Sequence, residues 1–381
     1  MAQTYIWQHP DWPELRHHAE AWARPLAAAR LEQGRALGRL QEIGLAETVS
    51  VERQFWTDEA IATAGIEGEK LDLETVRSSV MRRLGEQGAG QRASRNVDGL
   101  LDVMQDALRS HRDDLDDDRL HRWQSALFPG GTSGLRSIAV GRYREHDEPM
   151  QIVSGAIGRE KIHYEAPPSA TVPKEMGRFL DRWNETRFQL KDGVDGIIRA
   201  AVVHLWFETI HPFEDGNGRI GRALVDMALA QDAESSRRYC SLSRQLLANR
   251  NAYYDALNAA QRGSLDVTSW VVFFIEQFRS ACVASQEIVQ AASEKMRFWA
   301  QHGGVELNGR QRKALQRMLD AGRDGYEGGM SADKYRRLTG VSKATATRDL
   351  ALMLGAGLLV STGQLKSTRY WLDISGWALE R

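Results

Sequence analysis

The sequence predicts a mainly α-helical protein with a small β-hairpin flap and, at its C-terminal end, an α+β winged helix-turn-helix. Apolar residues recur at helical spacing from Pro13 to about Leu45 and again from Val172 to about Phe298. Residues 130–168 instead alternate short β-type runs with turn residues. After Val305 the pattern indicates a helix, a turn, a second helix and a two-stranded hairpin.

Length and composition indicate a globular protein of more than one domain. The chain has 381 residues, of which 42% are hydrophobic and 27% are charged, and its formal net charge is -1. Since domains usually contain about 100–200 residues, we expect three regions, at 1–95, 96–295 and 305–381. A nearly neutral chain has no overall field that attracts nucleic acid or membrane, so any such partner must bind a local patch.

The cysteines and the N-terminal segment bear on the compartment. Cys240 and Cys282 are too few for a disulfide framework or a thiolate zinc site, and we expect buried thiols in a reducing cytosol. The first residues lack the layout of a signal peptide, and no apolar stretch approaches the length of a membrane span. These features predict a cytoplasmic protein without a membrane partner.

The N-terminal region predicts helices whose ends carry acidic residues. The run "ERQFWTDEAIATAGIEG" is helical and ends at Gly68, which places Glu67 in its last turn. A carboxylate there faces the unfavourable end of the helix dipole and gains from a cation, although such a residue is most often an ordinary surface glutamate. The acidic run at 113–120 is typical of a helix start rather than of a metal site.

The strand-like region predicts a hairpin flap, because its halves "MQIVSG" and "KIHYEAPP" lie on either side of Gly158. The helical period then returns, and apolar side chains fill a broad face of the run "IIRAAVVHLWFETI". We therefore expect this helix to be central and buried. The residues of that face are Ile197, Ile198, Ala201, Val202, Leu205 and Trp206.

The stretch "HPFEDGNGRIGR", residues 211–222, joins this helix to the next. The first helix should end near Ile210 and the second should begin near Gly218, so the loop lies at a helix N-terminus, where unpaired N–H groups attract anions. Gly216 and Gly218 allow a phosphate to approach the backbone closely, and Asn217 adds a side-chain donor. The pattern predicts an anion-binding loop.

Four charged or titratable side chains of the same stretch suit phosphate chemistry. Arg219 and Arg222 lie three residues apart on one helix face, where guanidinium groups can hold polyphosphate oxygens. Asp215 can hold Mg²⁺ against those phosphates, and His211, expected at the exposed lip, can remove a hydroxyl proton at neutral pH. Each residue alone has an ordinary structural explanation, but their combination at a helix start favours a phosphate-handling site.

Two aromatic side chains near the loop have structural interpretations. We expect Phe213 to anchor the loop. His204 lies seven residues before His211, so a His-His-Asp metal site would also fit the spacing, but a core histidine is the better interpretation.

At these residues the sequence resembles the Fic family, whose signature H-P-F-x-[D/E]-G-N-G-R-x-x-R is matched at every defining position by residues 211–222. The resemblance extends to the preceding helix, to the flap and to the downstream segment "SLSRQLLANRNAYYDAL". The N-terminal "YIWQHPDWPEL" and the winged helix are similar to one bacterial, multidomain branch. The resemblance implies a Fic-type helical core at 96–295, preceded by a helical region that carries an inhibitory motif.

Fic enzymes typically transfer AMP from ATP to a hydroxyl of a target protein and release pyrophosphate. The resemblance implies His211 as the general base on a Ser, Thr or Tyr hydroxyl, Asp215 as the ligand of the Mg²⁺ ion that bridges the α- and β-phosphates, and Arg222 as the γ-phosphate contact. It also implies an anion hole formed by Gly216, Asn217, Gly218 and Arg219. The Doc branch has Lys where this chain has Gly218 and phosphorylates instead, so Gly218 favours AMP transfer.

The resemblance implies further contacts with the adenine and with the target. Asn249 and Tyr253 lie in the segment that contacts adenine in the family, although an N-x-x-x-Y pair on one helix face is more often ordinary packing. The flap would align the target by adding a backbone strand, with Ile152 and Val153 as the candidate contacts. Such a contact specifies geometry more than sequence, so the identity of the target stays open.

The segment "TAGIEG", Thr63 to Gly68, fits the inhibitory motif of the family, [S/T]-x-x-x-E-[G/N]. The resemblance implies that Glu67 pairs with Arg222 and denies it to the γ-phosphate, so that the resting enzyme holds ATP unproductively. In some relatives the same glutamate helps to hydrolyse AMP from a modified target. Removal of AMP is therefore a second interpretation of the same site.

The C-terminal tail allows a different function. From Val305 to Arg381 the chain has thirteen Lys or Arg and eight Asp or Glu, a local excess of five positive charges. Lys343, Thr345 and Arg348 are candidates for contacts with DNA, but winged helices also dock proteins. The alternative to an enzyme is a DNA-binding regulator whose core senses nucleotide, and the sequence is compatible with a homodimer.

Overall fold

A computed structural model of the chain describes residues 5–85, 94–154, 161–187, 194–322, 326 and 328–377. Their contacts divide the chain into two compact units, one formed by Met1–Glu42 with Thr48–Gln286 and the other by Ile43–Glu47 with Glu287–Arg381. Each unit has an apolar core of its own. The boundaries of the three regions expected from the sequence stay a prediction.

Helices make up most of the described chain before residue 302, and side-chain caps begin several of them. Asp72, Ser94 and Asp116 each accept a hydrogen bond from the backbone N–H three residues further on. The acidic run at 113–120 therefore starts a helix, as expected. The helices are α1 (Ala19–Glu42), α2 (Leu45–Ile66), α3 (Leu73–Arg83), α4 (Arg95–Arg109), α5 (Asp117–Leu127), α6 (Val172–Thr186), α7 (Gly196–Ile210), α8 (Asn217–Asp232), α9 (Leu242–Ala248), α10 (Arg250–Gln261) and α11 (Thr268–Gln301).

Helix α7 is surrounded by other helices and leads directly into the signature loop, residues 211–216, which ends where α8 begins. It packs against α6, α8 and α10, and 13 of its 15 residues are buried. A helix that is apolar on all sides needs neighbours on all sides. The predicted central, buried helix is confirmed, with Val202 the one half-buried member of the expected apolar face.

The predicted flap is confirmed as a two-stranded antiparallel sheet. Ile152 lies opposite Tyr164 and Val153 lies opposite Ile162, with a shift in register between the two pairs. Gly158, around which the hairpin was expected to turn, lies outside the described residues. The strands of this region are β1 (Thr132–Ser133), paired with β2 (Arg136–Ser137), and β3 (Gln151–Ser154), paired with β4 (Lys161–Glu165).

The second unit contains the helix, turn, helix and hairpin expected of the tail. Gly340, with a left-handed φ of 74°, ends the second of its helices, and Ser342 caps the next. Tyr335 and Leu350 lie in the apolar core that joins them. Its elements are α12 (Gly309–Asp320), α13 (Ala332–Thr339), α14 (Lys343–Gly355), and the antiparallel strands β5 (Leu359–Thr362) and β6 (Arg369–Leu372).

Two expectations about the whole chain can be compared with this structure. Cys240 and Cys282 are both free and buried, as expected. No helix of the described residues combines the length and the apolar character that crossing a bilayer requires.

Candidate functional site

The signature loop leaves α7 through an unusual backbone conformation at His211. Its φ of 50° and ψ of 59° are left-handed, and its N–H donates to Phe207 O at 3.0 Å. A residue with a Cβ atom loses roughly 1–2 kcal/mol in this region, so neighbouring structure must hold it there. His211 therefore stands at a fixed angle at the end of a rigid, buried helix.

Arg144 supplies the hydrogen bonds that hold this turn. Its Nε donates to His211 O at 2.8 Å, and its Nη2 donates to Ile210 O at 3.2 Å and to Pro167 O at 2.5 Å. Its Nη1 donates to Ser169 Oγ at 2.8 Å. Burial lowers the pKa of this guanidinium to about 10. The sequence analysis missed Arg144, because nothing in its local sequence shows that it reaches the end of α7.

We expect Arg144→Lys to lower the free energy of unfolding by about 2–3 kcal/mol, since hydrogen bonds from a charged group contribute about 1.5–3 kcal/mol each and one ammonium cannot replace the forked donors. Urea denaturation measures this loss. Arg142→Lys is the matched control, because Arg142 is exposed and its nearest carboxylate oxygen, on Glu145, is 3.9 Å away. Equal losses in the two variants would contradict the assigned role.

The imidazole of His211 is largely buried, which corrects the expectation of an exposed lip. Only 13% of the side chain is exposed, because α7 ends inside the unit rather than at its surface. Its Nδ1 atom has no hydrogen-bond partner among the described residues. Burial, reinforced by the positive charge of Arg144, lowers the pKa of His211 to about 4. The imidazole is therefore neutral at pH 7 and can accept a proton.

Glu208 is a buried acid beside this imidazole that the sequence analysis missed. Its Oε2 lies 3.9 Å from Nδ1 of His211, and its Oε1 has no partner among the described residues. Burial raises the pKa of Glu208 to about 8. A Cβ atom at Gly221 would lie 2.3 Å from Oε1, so a glycine at that position makes room for the acid. The signal available in the sequence was an acidic residue within a mostly apolar helix.

The loop between the two helices is closed by Phe213 and Asn217. The N–H of Phe213 donates to Asn217 Oδ1 at 2.9 Å, and Asn217 Nδ2 donates to Phe213 O at 2.8 Å. Phe213 is fully buried, as expected of an anchor. The Asn217 side chain is buried and bonds the loop backbone through both its oxygen and its nitrogen, and its use as a donor to an anion stays a prediction.

Backbone N–H groups at the start of α8 can donate hydrogen bonds to an anion. Gly216 caps the helix with a left-handed φ of 91°. The first intrahelical bond is donated by Ile220 to Gly216 O at 3.0 Å. The N–H groups of Asn217, Gly218 and Arg219 therefore precede the hydrogen-bonded part of the helix and are directed towards its N-terminal end. This geometry can bind an anion.

Asp215 offers a carboxylate at the same helix end. Its Oδ1 accepts from Gly216 N at 2.5 Å, its Oδ2 accepts from the hydroxyl of Ser133, and 40% of the side chain is exposed. Magnesium is usually held by one or two carboxylates together with phosphate oxygens and water. A single accessible carboxylate fits that use. No cluster of three His, Cys, Asp or Glu ligands occurs among the described residues.

His204 is a core histidine, as preferred, and not part of a metal cluster among the described residues. It is fully buried, and its Nε2 lies 2.9 Å from the hydroxyl of Tyr253. Burial lowers the pKa of His204 to about 3, so the ring is neutral.

Arg222 is buried against the end of α2. Its Nη2 donates to Glu67 Oε1 at 2.7 Å and to Thr63 O at 3.0 Å, and its Nε donates to Thr63 Oγ1 at 2.7 Å. Burial opposes the charge of Arg222, but Glu67, Tyr253 and Glu208 act together, Glu67 most strongly, and raise the pKa of the arginine. The predicted pairing of Glu67 with Arg222 is present in the structure.

The end of α2 positions the carboxylate that Arg222 uses. Gly68 has a left-handed φ of 83°, and its N–H donates to Gly65 O at 3.0 Å, while Glu69 N–H donates to Ala64 O at 3.0 Å. This pair of bonds is the Schellman ending, which glycine adopts without steric cost. Glu67 directly precedes Gly68 and Glu69 directly follows it, so both carboxylates lie at the C-terminal end of α2.

Arg219 also faces a carboxylate from this segment. Its Nη1 lies 3.3 Å from Glu69 Oε1, and its guanidinium carbon lies 4.8 Å from the centre of the Phe128 ring. Glu69 is half exposed, with 47% of its side chain accessible, whereas Arg219 is buried. The sequence analysis missed Glu69, although its position one residue beyond the helix-ending glycine was visible.

The carboxylate of Glu67 lies against the first turn of α8. A Cβ atom at Gly218 would lie 2.2 Å from Glu67 Oε1 and 3.0 Å from Arg222 Nη1. Any side chain at Gly218 would therefore collide with the ion pair. The Glu67 carboxylate therefore lies at the N-terminal end of α8, where a phosphate group would also bind.

The two residues expected to contact adenine differ in their exposure to solvent. Tyr253 is only 1% exposed and its hydroxyl is bonded to His204, so its ring lies in the core rather than at a surface that a base can reach. Asn249 is exposed, and its Nδ2 donates to Gln277 Oε1 at 3.0 Å. The neighbouring Tyr254 instead donates to Ile66 O at 3.2 Å, at the end of α2.

The flap residues differ in exposure. Val153 is 46% exposed, whereas Ile152 is half-buried and packs against the cluster of Tyr5, Tyr164 and Ala166. Val153 is thus the more accessible of the two residues expected to contact a target.

Residues 114–229 match the model of the Fic/DOC family. The chain therefore contains a Fic/DOC family domain. Residues 5–85 match a second model, described as a domain of unknown function, DUF4172. The flap and the signature loop lie in the Fic/DOC match, whereas Glu67 and Glu69 lie in the DUF4172 match.

One relative is similar over part of its sequence, and two solved structures are similar in fold. A protein from Aquifex aeolicus named "probable protein adenylyltransferase" is 31% identical over 102 residues, which cover 27% of this chain and 28% of that protein. The fold is similar to the crystal structure of a Fic family protein from Desulfovibrio desulfuricans, with a TM-score of 0.51 and 22% identity over 91% of this chain and 95% of that one. It is also similar to a Fic domain containing signaling protein from Bacteroides thetaiotaomicron, with a TM-score of 0.52 and 17% identity over 70% of this chain and 97% of that one.

Proposed function

We propose that this protein is an adenylyltransferase, which moves AMP from ATP to a Ser, Thr or Tyr hydroxyl of a target protein, and that Glu67 holds it inactive. The observation that carries the proposal is the Glu67–Arg222 ion pair at the N-terminus of α8, beside the loop that holds a neutral His211. The Fic/DOC family domain and a relative named as an adenylyltransferase support AMP transfer at the level of the family.

In the proposed reaction His211 acts as the general base. A neutral imidazole takes the proton of the acceptor hydroxyl, and the hydroxyl oxygen attacks the α-phosphorus of ATP. The bond from that phosphorus to the bridging oxygen breaks, and pyrophosphate leaves with the electron pair. The fixed backbone at His211 serves this step because proton transfer depends on the position of the base.

Groups at the start of α8 would hold the phosphates. The N–H groups of Asn217, Gly218 and Arg219 and the guanidinium of Arg219 would supply positive potential where negative charge develops. Asp215 would hold Mg²⁺, which would neutralise phosphate charge during the transfer. The backbone N–H groups do not need to move for the reaction, because the bonds between Phe213 and Asn217 hold the loop that leads into α8.

Arg222 would hold the γ-phosphate of ATP, and its pairing with Glu67 would account for an inactive resting state. While Glu67 occupies the guanidinium, the γ-phosphate meets a carboxylate instead of a free cation. Like charges at close range cost several kcal/mol in a partly buried site, so ATP is held away from the productive position. Release of Glu67 would return Arg222 to the substrate.

The flap would present the target segment to this site. Val153 offers an exposed edge residue on a strand that can pair with an added backbone strand. Pairing through the backbone aligns a hydroxyl with His211 without selecting a particular sequence.

Removal of AMP from a modified target is the second candidate function. It is favoured by the same contact, since a carboxylate placed at the start of α8 could activate a water molecule there. In that case Glu67 would be required rather than inhibitory. Replacement of Glu67 therefore has opposite effects under the two candidates.

Intact-protein mass measured after incubation with ATP and Mg²⁺ tests the proposal, because self-modification requires no known target. A mass gain of one AMP group in Glu67→Gly supports it. An unchanged mass in both wild type and Glu67→Gly, together with loss of AMP from a modified substrate by wild type alone, would favour removal of AMP.

We expect AMP transfer by Glu67→Gly at pH 5 to keep at least half of its rate at pH 7, with ATP saturating. An imidazole of ordinary pKa, about 6.5, would be only about 3% unprotonated at pH 5. Burial lowers the pKa of His211 to about 4, whereas the charge of Glu67 raises it. Removal of Glu67 should therefore lower this pKa further. The base therefore stays neutral over this range. A rate that falls with an apparent pKa near 6.5 would contradict the assignment.

A further inference from the structure

The outward face of α14 in the second unit is the feature that the proposed function leaves unexplained. Its inward stripe is buried in the core of that unit and consists of Ala346, Asp349, Leu350 and Met353. Its outward side is exposed to solvent and consists of Lys343, Ala344, Thr347, Arg348, Ala351 and Leu352. Small side chains thus alternate with two cations along this exposed face.

The single acidic residue of α14 is turned away from this face. Asp349 is buried, and its Oδ2 accepts from Tyr335 Oη at 2.9 Å and from Arg310 Nε at 3.2 Å. Its charge is therefore compensated within the unit. The outward face of α14 carries Lys343 and Arg348 and no carboxylate, so its local potential is positive even though the whole chain is nearly neutral.

We infer that the outward face of α14 binds the major groove of double-stranded DNA. The second helix of a helix-turn-helix enters that groove with its N-terminal residues against the base edges. Small residues at Ala344, Thr347 and Ala351 let the helix approach closely, while Lys343 and Arg348 reach phosphates or guanine edges. A helix, a turn at Gly340, a second helix capped by Ser342 and a hairpin follow one another along the chain. This is the order of elements in a winged helix-turn-helix.

The composition of this face favours DNA over a protein partner. The centres of protein interfaces are enriched in aromatic side chains and depleted in charge. The outward face of α14 has no aromatic residue, and Leu352 is its one large apolar side chain. Two cations among small residues complement a polyanion better than an apolar partner.

The test is a fluorescence-anisotropy titration of the full chain with a labelled random duplex of about two helical turns, at several salt concentrations. The test variant is Lys343→Ala with Arg348→Ala. The control variant is Lys313→Ala with Arg317→Ala, which removes the same charges from the exposed side of α12 in the same unit. Circular dichroism of both variants checks that the unit stays folded.

We expect wild type to bind the duplex with an affinity that falls as salt rises. The α14 variant should bind at least tenfold more weakly at low salt, with a salt slope smaller by about 2, because each lost phosphate contact lowers that slope by about 1. The α12 control should bind like wild type. The inference is overturned if wild type does not bind at low salt, or if the α12 control loses as much affinity as the α14 variant. Binding should also be the same in His211→Ala, which separates this surface from the proposed transferase site.

Discussion

Glu67→Gly should raise the rate at which the protein incorporates AMP at least tenfold. The carboxylate holds Arg222 through a bond of 2.7 Å and lies against the first turn of α8, where a phosphate would bind. A hydrogen bond to a charged group contributes about 1.5–3 kcal/mol, and a factor of ten corresponds to about 1.4 kcal/mol. Loss of this one contact is therefore sufficient for the expected change.

Incorporation of label from ATP labelled on the α-phosphate measures the effect, and Glu69→Gly is the matched control. Both glutamates follow the last residue of α2, so neither substitution places glycine inside the helix. Glu69 lies 3.3 Å from Arg219 and is more exposed than Glu67, so its removal should change the rate by less than threefold. An equal gain from the two variants would mean that the segment inhibits by its general charge. No gain from Glu67→Gly would show that Glu67 is not the brake.

Adding His211→Ala to Glu67→Gly should lower incorporation by about 10²–10⁴, the usual contribution of a general base. The fold should survive, because Arg144 holds the backbone oxygen of His211 and not its side chain. Urea denaturation of the double variant checks this. His146→Ala in the same background is the control, since His146 is only partly buried and lies outside the loop. A double variant that keeps more than a tenth of the rate would exclude His211 as the base.

The sequence predicted the features whose causes are local. The signature loop, the buried helix before it and the helix end at Gly68 depend on residues that are near in sequence: an apolar run, turn glycines and a left-handed ending. The pairing of Glu67 with Arg222 spans 155 positions, and it came from the resemblance to a family rather than from any local pattern.

Other parts of the site depend on tertiary packing and were not accessible from the sequence. Arg144 contacts the end of α7 from a loop 66 residues away, and no pattern near it indicates this. Tyr253 turns into the core because α10 packs against α7, and the spacing between Asn249 and Tyr253 cannot show which side is buried. His211 was expected to be exposed because it follows a helix, but that helix ends inside the unit.

Exposure on the tail helix shows the same limit. The sequence identified Lys343, Thr345 and Arg348 as candidates, but the structure makes Thr345 half-buried and places Thr347 on the outward face instead. The hydroxyl of Thr347 donates to Lys343 O at 3.0 Å and can still accept a hydrogen bond from a partner molecule. The burial of Asp349 against Tyr335 could be recognised only once α13 and α14 were seen packed together.

The most direct test of the central claim uses ATP labelled on the α-phosphate and, separately, on the γ-phosphate. Purified wild type, Glu67→Gly, and Glu67→Gly with His211→Ala are incubated with each nucleotide and Mg²⁺, and covalent label is measured together with intact mass. We predict label from the α-phosphate alone, highest in Glu67→Gly and absent from the double variant. Label from the γ-phosphate would make the protein a kinase, and no label from either position in Glu67→Gly would contradict AMP transfer.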